Sequence, residues 1–176
     1  MKNRGLIHIY CGDGKGKTTA AAGLAIRCAG GGGKVLFYQF LKDGTSGEIN
    51  VLKSLDNVEV VDGYRSSKFS FNMTDEEKRL AAEGYEKDFE YIANRVSKKH
   101  FDVLVLDEIL HGINLKYLSL ERVLEFLINK PEGLEVIMTG RNPDKKLIDI
   151  SDYVSEIVKV KHPFDKGIVA RKYIEL

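Results

Sequence analysis

The sequence predicts an α/β fold: a mainly parallel sheet of about six strands with helices on both faces. Three observations predict it. Short β-branched runs alternate with longer segments of helical periodicity. Several of the short runs are almost wholly apolar, as strands buried on both faces must be. Glycine is also concentrated in one place. Eight of the 17 glycines lie between Gly12 and Gly33, where a first strand passes into a first helix.

Strands are expected over 6–10, 35–40, 58–62, 103–107, 135–139 and 154–161. A first helix over 17–29 is stopped by Gly30, and a short one covers 47–55. The longest begins at Thr74, which forms a capping-box pattern with Glu77. Its apolar residues Ala81, Tyr85, Phe89, Ile92 and Val96 recur at helical spacing and define one face. Another helix is expected over 120–129, and a short one after Pro143. In sheets of this kind ligands bind at the carboxyl ends of the strands.

Length and composition narrow the function classes. With 176 residues and no linker or repeat, one domain over 1–176 is expected. A balance of 27 Lys+Arg against 26 Asp+Glu argues against a nucleic-acid-coating protein. The two cysteines, Cys11 and Cys28, argue against a disulfide scaffold and for a reducing compartment. No apolar run reaches the ~20 residues that span a bilayer. The apolar stretch after Met1-Lys2-Asn3-Arg4-Gly5 is too short for a signal peptide. A cytoplasmic protein with no membrane or nucleic-acid partner is expected.

The first strand runs into Cys11-Gly12-Asp13-Gly14-Lys15-Gly16-Lys17-Thr18-Thr19 and then into a helix. This is a P-loop in its proper context, although Cys11 holds the usual first glycine position. The expected fold is therefore P-loop NTPase-like, of RecA-like type. Loop N–H groups and a helix N-terminus converge on one spot and stabilise phosphate oxygens. Gly12, Asp13, Gly14, Lys15, Gly16, Lys17, Thr18 and Thr19 are the expected nucleotide-binding residues. Lys17 brings an ammonium to the phosphates, and Thr18 a hydroxyl to a magnesium or manganese ion.

The apolar strand 103–107 ends in Asp107-Glu108. P-loop proteins commonly place an acid at such a strand end, where it holds the metal directly or through water. Strand alternation sends Asp107 and Glu108 in different directions, so different roles are expected. Thr18 and Glu108 are the metal candidates, with Asp107 as alternative or second-layer partner. Arg141 follows the strand 135–139 and faces the triphosphate or the second substrate, or else joins a surface ion pair. These residues specify magnesium and a nucleoside triphosphate, but not the reaction.

The chain resembles the P-loop ATP:corrinoid adenosyltransferases. The resemblance rests on Gly12-Asp13-Gly14-Lys15-Gly16-Lys17-Thr18-Thr19-Ala20-Ala21, Gln39-Phe40-Leu41-Lys42 and Val105-Leu106-Asp107-Glu108. Thr139-Gly140-Arg141 and Lys161-His162-Pro163-Phe164-Asp165-Lys166-Gly167 complete the set in the family's order. The resemblance implies transfer of the 5′-deoxyadenosyl group of ATP to the Co(I) of a reduced corrinoid, with triphosphate leaving. It implies Lys17, Thr18 and Glu108 as catalytic residues, and it places Asp13 near the nucleotide sugar and Arg27 at the nucleotide. It also implies an aromatic loop against the corrinoid, with Tyr64, Phe69 and Phe71 as candidates. His111 could face the same site. A homodimer and a reduced flavoprotein electron donor are further family expectations. Two other classes share the phosphate loop: a small-molecule kinase or ATPase, and a non-catalytic ATP-dependent corrinoid-binding protein.

Overall fold

The computed structural model describes residues 4–42, 44, 46–65 and 72–174. Six parallel strands form one sheet: β1 (Ile7–Cys11), β2 (Val35–Gln39), β3 (Val58–Val60), β4 (Val103–Asp107), β5 (Glu135–Thr139) and β6 (Tyr153–Glu156). Their order is β3-β2-β4-β5-β1-β6. All five residues of β2 and all five of β4 are buried. Near-continuous apolar runs therefore became central strands covered on both faces.

Alternation sorts the core into two layers. Ala21, Ala22 and Ala25 of α1 (Lys17–Gly30) and Ile49 and Leu52 of α2 (Gly47–Lys53) pack on Phe37, Val105 and Ile137. The other face carries Leu36, Tyr38, Leu104, Leu106 and Met138. It is covered by α3 (Asp75–Lys98), α4 (Ile109–Asn114), α5 (Leu120–Asn129) and Leu147 of α6 (Lys145–Ile150).

Helix α3 shows why these boundaries form. Thr74 Oγ1 accepts from Glu77 N, and the Glu77 side chain accepts from Thr74 N, closing the capping box. Acids fill its first turn and Arg95 and Lys98 its last, each at the favourable end of the helix dipole. Its buried residues are Ala81, Tyr85, Phe89, Ile92 and Val96. At its far end Arg95 binds Glu59 of β3 through two hydrogen bonds of 2.8 and 3.0 Å, and Lys99 adds a third at 2.8 Å. Hydrogen bonding from Arg95, then from Lys99, holds the Glu59 carboxyl below its ordinary value of 4.5. A depressed carboxyl contributes stability that is complete above its unfolded value and is lost as pH falls through its folded value. Glu59→Gln is accordingly expected to flatten the loss of stability below pH 4.5, read by urea denaturation across that window.

The expected third strand, 58–62, is shortened to Val58–Val60 and the expected helix 47–55 to Gly47–Lys53, and two further elements differ more. The last strand stops at Glu156 instead of reaching Lys161. Among the described residues it pairs only with β1, whose register ends at Cys11↔Glu156. There β1 turns into the glycine loop, so the chain beyond has no ladder to join. Helix α4 is the other difference: residues 109–114 follow the strand end directly and form a helix that is not among the expected elements.

Candidate active site

The carboxyl ends of β1, β2, β4 and β5 meet at one edge of the sheet, as the strand order dictates. After Cys11 the chain turns at Gly12, whose φ is +106°. A Cβ there would lie 2.4 Å from the carbonyl oxygen of Ile157. That carbonyl accepts from Gly14 N at 2.7 Å, while Ile157 N donates to Cys11 O at 2.8 Å. The segment after β6 is thus stitched to the loop. Asp13 extends the seam: its Oδ1 accepts from Lys159 N at 2.9 Å, and this bond holds its carboxyl below the usual range. Gly12→Ala is expected to strain the turn and part the seam, lowering stability by about 2 kcal/mol. Chemical denaturation measures the stability, and titration with a non-hydrolysable ATP analogue measures the matching loss of affinity.

Gly16, at φ +115°, reverses the chain into α1. Lys17 opens that helix, is 7% exposed, and donates from Nζ to Gly14 O at 2.8 Å. Burial pushes its pKa down, against the opposing pull of the Glu108 carboxylate. A desolvated cation whose close partner among the described residues is a neutral carbonyl gains strongly from a phosphate oxygen. Lys15 and Thr19 lie exposed on the same loop and helix start.

Next to the loop, Asp107 is fully buried. Its Oδ1 accepts from Thr18 Oγ1 at 3.0 Å and from Thr139 Oγ1 at 2.6 Å. Its Oδ2 accepts from Gln39 Nε2 at 3.0 Å and Lys42 Nζ at 2.8 Å. Lys42 Nζ also donates to Thr18 Oγ1 at 2.8 Å. Sheet order brings these groups together: β4 lies between β2 and β5, and Gln39 pairs in register with Asp107. Asp107 and Glu108 diverge as strand alternation implies. Asp107 reaches Thr18, whereas Glu108 takes a left-handed conformation at φ +61°, its N–H on Thr139 Oγ1 at 2.8 Å. Its carboxylate lies 3.9 Å from His111 Nδ1 and faces the charge of Lys17.

The other candidates are spread more widely. Arg141 is exposed, its carbonyl accepts from Asn114 Nδ2 at 2.8 Å, and its charge is felt at Lys17 and Asp13. Arg27 is not brought to the loop within this chain. It lies about 15 Å of helix rise beyond Lys17, and its charge is felt at Tyr10. Tyr64 is half-buried, its ring edge-on to Tyr85 at 5.0 Å. Phe69 and Phe71 lie outside the described residues. Gln39, Lys42 and Thr139 are site members that the sequence reading gave no role. The signal for them is positional: each stands at or just beyond the end of a strand flanking Asp107.

The site suits a hard divalent cation. Thr18 supplies a hydroxyl oxygen and Asp107 a carboxylate, the donors that magnesium prefers alongside phosphate oxygens and water. Gln39 Oε1 is buried without a hydrogen-bond partner among the described residues, an acceptor suited to a metal-bound water. No group of three or more His, Cys, Asp or Glu able to hold a metal occurs among the described residues, so soft or all-protein coordination has no support there.

Residues 3–176 match the family model described as ATP:corrinoid adenosyltransferase BtuR/CobO/CobP. The chain belongs to this family. Among its adenosyltransferase relatives, the corrinoid adenosyltransferase of Escherichia coli (strain K12) is 36% identical over 170 residues, covering 96% of this chain and 84% of the relative. Corrinoid adenosyltransferase CobA of Salmonella typhimurium is 36% identical over 177 residues, covering 99% and 87%. The Pseudomonas aeruginosa corrinoid adenosyltransferase is 32% identical over 173 residues, covering 98% and 84%. Among solved structures, a KaiC-like protein from Pyrococcus horikoshii aligns with a TM-score of 0.54 at 21% identity, covering 98% of this chain and 76% of that one. The cytoplasmic domain of EssC aligns with a TM-score of 0.53 at 15% identity, covering 95% and 34%. These two likenesses concern the fold of the adenosyltransferase alone.

Proposed function

We propose that this chain transfers the 5′-deoxyadenosyl group of ATP to the Co(I) of a reduced corrinoid and releases triphosphate, in adenosylcobalamin biosynthesis or salvage. The observation that carries this reading is the family match over residues 3–176. The phosphate loop, ending in a buried Lys17 and a Thr18 bonded to Asp107, gives it a chemical basis. One domain over 1–176 does the work, in the cytoplasm. Among the described residues no helix is long and apolar enough to cross a membrane.

The bonds balance simply. Co(I) supplies an electron pair to C5′ of the ribose, a cobalt–carbon bond forms, and the C5′–O bond breaks with its pair going to triphosphate. Cobalt is itself the nucleophile, so no general base is required. The chain's task is to hold ATP and receive a polyanionic leaving group. The loop amides and the N-terminus of α1 bind the phosphates, with Lys17 adding charge that develops no new desolvation cost during the reaction. Lys15 and Arg141 stand at the rim. Thr18 and Asp107, with Glu108 beside them, would hold magnesium or manganese, which adds Lewis-acid stabilisation of the leaving phosphates. The corrinoid-side candidates among the described residues are Tyr64 and His111, and a reduced flavoprotein supplies the electron that yields Co(I).

The chain works as a homodimer in this reading. Among the described residues strand β6 pairs only with β1, all four of its residues are exposed, and Tyr153, Val154, Val158 and Val160 present apolar surface there and just beyond. Val154→Arg is expected to yield monomers in light scattering. A wild-type chain that is monomeric at micromolar concentration would contradict the dimer.

The reaction is tested by mixing the protein anaerobically with chemically reduced cobalamin and MgATP. A light-sensitive alkylcobalamin spectrum is expected. An unchanged corrinoid with ADP accumulating would favour a kinase or ATPase, and saturable binding of ATP and corrinoid without any product a binding protein.

A further inference from the structure

Lys42 occupies an unusual place. Its Nζ is 2.8 Å from Thr18 Oγ1 and 2.8 Å from Asp107 Oδ2, and those two oxygens are 3.2 Å apart. Thr18 donates its hydroxyl proton to Asp107 and accepts from Lys42 with one of the two lone pairs of Oγ1. A metal ion that reaches Thr18 and Asp107 together from this side needs that same lone pair. An ion bridging the two oxygens from this side at ~2.1 Å would sit roughly 1 Å from the ammonium nitrogen. The two cations are mutually exclusive.

We propose that Lys42 is a built-in counter-cation of the metal site: it neutralises Asp107, holds Thr18 in its ligating orientation, and yields its place only when a divalent ion arrives together with ATP. This rests on the magnesium–ATP reading above and adds a residue and an order of binding to it. A divalent ion alone must displace a hydrogen-bonded ammonium and then share the space with its charge. ATP brings several negative charges, which accommodate both the ion and the displaced ammonium.

The loop is built to let the side chain move while its backbone stays. Arg65 Nη1 donates to Gln39 O at 3.0 Å and to Lys42 O at 3.4 Å, and the Arg65 guanidinium packs over the Tyr38 ring at 5.9 Å. Leu41 (φ +58°) and Gly44 (φ +77°) fix the turn on either side. The Lys42 side chain is 31% exposed, against 0% for Asp107, so its head has an open way out. Pinned at its backbone, it stays within reach of the triphosphate it makes room for.

Two measurements test this. The first titrates Mn²⁺ alone, without nucleotide, into wild-type protein and Lys42→Met, followed by electron paramagnetic resonance. Removing the ammonium is expected to tighten Mn²⁺ binding by at least about tenfold. A Lys42→Met protein that melts cooperatively and binds Mn²⁺ no better than wild type overturns the proposal. The second needs no loss of the buried charge. In ¹⁵N-lysine-labelled wild type, the Lys42 ammonium, assigned by its absence in Lys42→Arg, is expected to give a protected resonance. Mg²⁺ with a non-hydrolysable ATP analogue should shift that resonance, and Mg²⁺ alone should not. A resonance unmoved by bound Mg²⁺–nucleotide overturns the proposal, even if Lys42→Met does not fold. Calorimetry of the Mg²⁺–nucleotide on the same samples separates the two readings. No binding there defeats the adenosyltransferase reading, while the Mn²⁺ titration still decides the role of Lys42.

Discussion

Lys17→Ala is expected to reduce the rate of adenosyl transfer by about 100- to 1,000-fold, the usual cost of removing one preorganised partner of developing negative charge. The chain folds around Lys17 in a way that makes this substitution informative. Lys17 is 7% exposed, its ammonium is hydrogen-bonded only to the Gly14 carbonyl among the described residues, and burial has already pushed its pKa down. Deleting it relieves a desolvated charge, so the apo protein should keep or slightly raise its stability. Activity and stability then move in opposite directions. Single-turnover kinetics measure the first and thermal melting the second. A variant that lost both together would mean that Lys17 serves the fold instead of the leaving group.

Asp107→Ala carries the largest expected effect on stability. The carboxylate is fully buried and takes hydrogen bonds from Thr18, Gln39, Lys42 and Thr139. Removing it leaves the buried Gln39 amide and Thr139 hydroxyl without their acceptor and opens a cavity at the sheet edge. Thr139 also accepts from Glu108 N, so the start of α4 loosens with it. The cost is about 3 kcal/mol, which for a chain of this size lowers the melting temperature by roughly 10 °C. Lys42 is partly exposed and can turn to solvent, which keeps the cost from rising further. Adenosyl transfer should fall below detection, because the Thr18 hydroxyl loses the group that orients it. Asp107→Asn restores volume but presents an amide N–H₂ or a weaker acceptor to Lys42 and Gln39, and should recover stability only in part.

The residues that were legible in the sequence are those whose roles depend on local order. Gly12 to Gly16 form a loop between a strand and a helix that Lys17, Thr18 and Thr19 open, and each part is contiguous. The long helix could be placed from Thr74, Glu77 and five apolar residues because capping and periodicity are also local. The β4 end at Asp107 was visible as an apolar run stopped by acid. What remained hidden depends on strand order. Gln39, Lys42 and Thr139 gather on Asp107 only because β2 and β5 flank β4, and no spacing in the chain records that. The same applies to Ile157 and Lys159, which lie against Gly12 and Asp13 because β6 runs beside β1 and must leave the sheet where β1 does. The short α4 is not legible because six residues, Ile109–Asn114, carry too little periodicity to mark a helix, and the left-handed Glu108 that starts it is not announced by sequence pattern.

The central claim is that ATP leaves as one intact triphosphate when its sugar carbon moves to cobalt. ³¹P NMR of a single anaerobic turnover, with MgATP and chemically reduced cobalamin, tests it most directly. Intact triphosphate is expected in a one-to-one ratio with the new alkylcobalamin, and with Lys17→Ala both should form about 100- to 1,000-fold more slowly. Appearance of ADP and orthophosphate, with the corrinoid unaltered, would contradict the account.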